Sequence, residues 1–94
     1  MAMAWGSKLT EGYLKTDVDI VSGGGTLKFS GAESSICMTK IELTKFDFPE
    51  QGTWSIDCTN GDIASGKFYV DDRYNLVASG KDKTGESVDF IVWL

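Results

Sequence analysis

The sequence contains no histidine, a single proline at position 49, only two cysteines and no long apolar run. Each shortage closes off a class of function. Without an imidazole, histidine-based acid–base chemistry is impossible. Zinc centres draw mostly on Cys and His, so two cysteines and no histidine come close to excluding a structural zinc site. No stretch approaches the ~20 apolar residues of a membrane-spanning helix, and Met1–Trp5 is too short and uncharged to be a secretory signal. No membrane partner is expected, and the default expectation for localisation is cytoplasmic. Residues 1–7 are expected to be disordered or foreign to the native chain.

Basic charge is also scarce where it would matter for nucleic acid. The five lysines and five acids of Met1–Lys45 cancel, whereas Phe46–Leu94 sets nine acids against four basic residues. The whole net charge of −5 therefore lies in the second half. Phosphate backbones are held by clustered Lys and Arg, so nucleic acid is disfavoured as a partner.

What is present is β-patterned. Hydrophobic residues make up 41% of the chain, enough for one folded domain over residues 1–94. Gly, Asn and Asp clusters recur between short alternating segments, as in a small sandwich or barrel. Seven strands are predicted: Tyr13–Val21, Thr26–Ser30, Ser35–Leu43, Thr53–Cys58, Ala64–Val70, Asn75–Gly80 and Ser87–Trp93. Pro49 falls in the loop Lys45–Gly52, where it interrupts no ladder. The expected fold is all-β: a small antiparallel curved sheet, β-barrel or sandwich, ending in a four-stranded meander.

Parity fixes the hairpins of that meander. A two-residue turn at Asn60-Gly61 would split the apolar residues between faces. A three-residue loop, Thr59-Asn60-Gly61, pairs Ile56 with Ala64 and puts Gly61 where a left-handed backbone is wanted. An odd loop around Asp72-Arg73-Tyr74 then pairs Phe68 with Ala78 and Val70 with Leu76. The turn Lys81–Gly85 brings Ala78 opposite Phe90 and Leu76 opposite Val92. Trp54, Ile56, Phe68, Val70, Leu76, Val88, Phe90 and Val92 share one face, the predicted core. Gly52, Gly66 and Gly80 fall on that face and favour strong curvature.

The same registers align Tyr69, Val77 and Ile91 on the opposite face, with Trp93 one step along. A solvated outer face should be polar there. Cover by the N-terminal strands, by a partner, or by a ligand would each explain the row.

Catalytic signals are weak. Asp17 and Asp19 share a strand face, a spacing usual for solvated carboxylates. Neither cysteine has a basic neighbour in sequence, and no G-x-S-x-G elbow occurs. Ser22-Gly-Gly-Gly-Thr26 lacks the GK[ST] of a phosphate loop and reads as a turn. Asp82–Glu86 lacks the alternating oxygen ligands of an EF-hand loop, and Asp71-Asp72 reads as turn chemistry. Cys37 and Cys58, twenty-one positions apart, read first as small buried thiols, or as one disulfide if their strands are neighbours. No cofactor, metal site or catalytic residue is assigned.

Gly52-Thr53-Trp54 is similar to the G-x-W at the start of the first strand of lipocalins, and avidins carry a similar element. The match spans those three residues, mid-chain. The resemblance implies an up-and-down barrel with a small molecule in its mouth, and no binding residue is carried over.

Two functions are expected on these grounds. The first is a non-catalytic interaction module that uses Tyr69, Val77, Ile91 and Trp93 against a protein partner or a second copy. The alternative is a barrel that holds a small apolar ligand against Trp54, Phe68 and Phe90. A small enzyme of unknown class ranks third.

Overall fold

Alternating apolar and polar side chains fold this chain into one antiparallel sheet. The computed structural model describes residues 2–6, 13–19 (backbone only), 22–30 and 35–93. Its strands are β1 (Ala2–Trp5), β2 (Tyr13–Asp19), β3 (Gly24–Ser30), β4 (Ile36–Lys45), β5 (Gln51–Cys58), β6 (Ile63–Val70), β7 (Asn75–Asp82) and β8 (Ser87–Trp93). No helix occurs among the described residues. The sheet order is β1-β8-β7-β6-β5-β4-β3-β2, an uninterrupted meander with the first strand added beside the last. The sheet curls into a half-barrel whose inner face is the core.

The registers follow the parity argument. Ile56 pairs with Ala64, Phe68 with Ala78, Val70 with Leu76, Ala78 with Phe90 and Leu76 with Val92. The β5–β6 loop closes with Cys58 N–H donating to the Asp62 carbonyl at 2.9 Å, and Gly61 sits at φ 95°. All eight residues predicted for the core face are buried. From the other half of the sheet, Leu27, Phe29 and Ile41 join the same core. The Asp17–Asp19 carboxylates lie outside the described side chains.

On the inner face a glycine pair leaves no room for side chains. Gly66 on β6 faces Gly80 on β7, and a Cβ on either would run into the carbonyl of Ser79 or Ser65 on the opposing strand. The Trp54 side chain spans this site: its indole N–H donates to the Lys67 carbonyl at 3.0 Å and to the Ser79 carbonyl at 3.3 Å. The ring meets Phe90 edge-on, with centroids 5.0 Å apart. A large aromatic can lie here because both strands beneath it present only backbone.

Two expectations are corrected. Residues 1–7 are expected to be disordered or foreign to the native chain, yet Ala2–Trp5 pairs with β8 from Ala2↔Ile91 to Trp5↔Val88. Four residues are too few to show a strand period. A distant contact holds the segment, the Trp5 indole N–H donating to Asp82 Oδ2 at 2.9 Å across 77 positions. Met1 and Ser7 lie outside the described residues.

The cysteines are not free thiols. The β4–β5 register sets Cys37 directly opposite Cys58, with Cα atoms 4.0 Å apart and the sulfurs bonded. The neighbouring pair carries the ladder bond, Thr59 N–H to the Ile36 carbonyl. Cys37 and Cys58 therefore occupy a non-hydrogen-bonded pair, where opposing side chains are closest.

A candidate interaction face

The outer face of β5–β6–β7–β8–β1 carries two cross-strand rows. Register places Gln51, Tyr69, Val77, Ile91 and Ala2 side by side in the first. Thr53, Lys67, Ser79, Asp89 and Ala4 form the second, two residues along each strand. Tyr69 is 48% exposed, Ile91 37% and Trp93 60%, with Val77 partly buried between its neighbours. Trp93 lies opposite Asn75, one step beyond the first row. The structure thus brings together all four residues singled out for a partner face.

The face is not flat. Where Ala2, Ala4 and Ser79 replace bulky side chains, a depression of about 390 Å³ opens over β7, β8 and β1, bordered by Val77, Asp89 and Ile91. A second, of about 290 Å³, lies between Pro49, Tyr69 and Val77, with Lys67 and Gln51 at its rim. Val77 and Ser79 belong to both. Sequence reasoning found the aromatic and aliphatic centre of this face but missed its extension onto β1, because β1 itself was missed. Phe46 and Phe48, 64% and 67% exposed in the β4–β5 loop, had no periodic signal to mark them.

The proposed ligand-lining residues lie on the inner face. Trp54, Phe68 and Phe90 are 2%, 3% and 2% exposed and belong to the contiguous core.

Two carboxylates organise the hairpins. Asp82 Oδ1 accepts from Thr84 N–H at 2.9 Å, Thr84 Oγ1 at 2.7 Å and Glu86 N–H at 3.0 Å, while Oδ2 accepts from Trp5. The Trp5 indole bond, then the Thr84 hydroxyl, hold this carboxyl far below the usual range. Asp71 does the same in the β6–β7 turn, accepting from Arg73 N–H and Asn75 N–H, and its pKa is lowered chiefly by the Asn75 backbone. Both carboxylates thus fasten their turns by accepting backbone N–H groups. Among the described residues no group of three or more Cys, Asp or Glu is placed to hold a metal ion.

Compared with known proteins, the chain matches no family model, no curated protein and no solved structure.

Proposed function

We propose that this chain is a non-catalytic protein-binding module that works through the outer face of β6, β7, β8 and β1. The reading rests on one observation: a continuous row of Tyr69, Val77, Ile91 and Ala2, flanked by Trp93, on the solvent side of a sheet. Exposed aromatic residues beside shallow apolar depressions are the usual makings of an interface centre. The non-catalytic part rests on the residue inventory, which offers no histidine, and on carboxylates engaged by turn donors. An apolar ligand inside the half-barrel would have to displace Trp54 from Phe90 and from two carbonyl acceptors, which makes that alternative costly.

A hydrophobic dye, bis-ANS, tests the reading at low micromolar protein. The Tyr69→Ser, Ile91→Ser double variant should lose most of the dye fluorescence of the wild type while keeping its near-UV circular dichroism. Dye binding unchanged by the double substitution would overturn the proposal.

A further inference from the structure

We infer that the partner on this face is a second copy of the chain, docked about a two-fold axis that runs along β7. The inference rests on the interaction-face reading and adds the identity and geometry of the partner.

The two rows are arranged about β7. Tyr69 and Ile91 flank Val77 from β6 and β8, and Lys67 and Asp89 flank Ser79 in the same way. A two-fold axis along β7, lying between two facing copies, exchanges the β6 side with the β8 side. It sets Tyr69 against the partner's Ile91, Val77 against the partner's Val77, and Lys67 against the partner's Asp89. The charges are complementary, and each copy supplies both halves. These two rows carry one cation and one anion, a neutral patch on a chain of net charge −5. Two acidic molecules can meet there without opposing their excess charge.

Shape follows the same symmetry. Tyr69, half exposed, projects on the β6 side, and the depression floored by Ala2, Ala4 and Ser79 lies on the β8–β1 side. The axis carries the Tyr69 ring of each copy over the depression of the other, so projection and hollow match twice. Sheet twist separates the copies beyond the central rows and leaves Lys81, the next outward residue of β7, in solvent. The half-barrel curls away from the axis on both sides, so contact is confined to β6, β7 and β8, about 10 Å across, and the dissociation constant of so small an interface should be on the order of 100 µM.

Sedimentation velocity over a concentration series tests this, with Lys67→Asp, Asp89→Lys and the double swap each checked for native near-UV circular dichroism. The wild type should pass from monomer to dimer. Each single reversal should weaken association about tenfold, since it turns two attractive pairs repulsive. The double swap should restore association to near the wild-type value. A protein that stays monomeric to ~1 mM would overturn the second-copy partner and leave the dye experiment to judge the face on its own. A dimer that the double swap fails to restore would overturn the two-fold geometry.

Discussion

Thr39 is the polar residue most deeply placed in this core. It is fully buried on the inner face of β4, between Leu27 and Ile56, and its hydroxyl oxygen has no hydrogen-bond partner among the described residues. A buried hydroxyl without a partner carries its desolvation cost uncompensated. Valine has the same branching and suits the strand, so Thr39→Val should raise unfolding free energy by about 1 kcal/mol. Urea denaturation checks this, and a loss of stability would mean that the hydroxyl is satisfied inside the core. Asp82 is the opposite case, a carboxylate with every contact filled. Its folded pKa is depressed, so its contribution is fully present above the ordinary carboxyl value of about 3.9 and fades as pH falls below it. Asp82→Asn, holding its oxygen on Thr84 and Glu86, turns an amide N–H toward the Trp5 indole N–H and breaks that link. The wild-type urea midpoint should exceed the variant's at pH 7, and the gap should narrow by pH 3. A gap that stays constant with pH would contradict the charge-based account.

Among the elements, the hairpins were legible and the additions to them were not. Residues Ile56, Phe68, Val70, Leu76 and Phe90 must share one face, and loop parity alone then dictates β5 to β8 in register. Gly61 at φ 95° marks where the first loop ends. The strand β1 was illegible because four residues carry no usable period, and its anchor, Trp5 on Asp82, joins the two ends of the chain. The disulfide was illegible for a related reason: a separation of twenty-one residues does not reveal that Cys37 and Cys58 become direct partners. Closing that loop restricts the unfolded chain, so replacing both cysteines with alanine should lower stability by about 3 kcal/mol. Denaturant midpoints of the double variant, with thiol titration of the unreduced wild type, check this. A full complement of reactive thiols would contradict it. Such a bond persists in oxidising surroundings.

At the scale of the whole molecule, the sheet has a filled inside and a textured outside. Its edges are β1 and β2, consecutive in sequence yet at opposite ends of the strand order. The interior uses the aromatic residues that a ligand reading would need as lining, with Trp54 against Phe90 above the Gly66–Gly80 pair. The outer row on β6, β7, β8 and β1 leaves apolar surface open to another molecule. On the proposed function this outer row, and not the interior, is the working surface. Amide and indole chemical-shift mapping during titration with an apolar probe, 1-anilinonaphthalene-8-sulfonate, tests it most directly. Shifts are expected at Tyr69, Val77, Ile91 and the Trp93 indole, with the Trp54 indole N–H unmoved. Shifts centred on the Trp54 indole, Phe68 and Phe90, with the outer row silent, would contradict it.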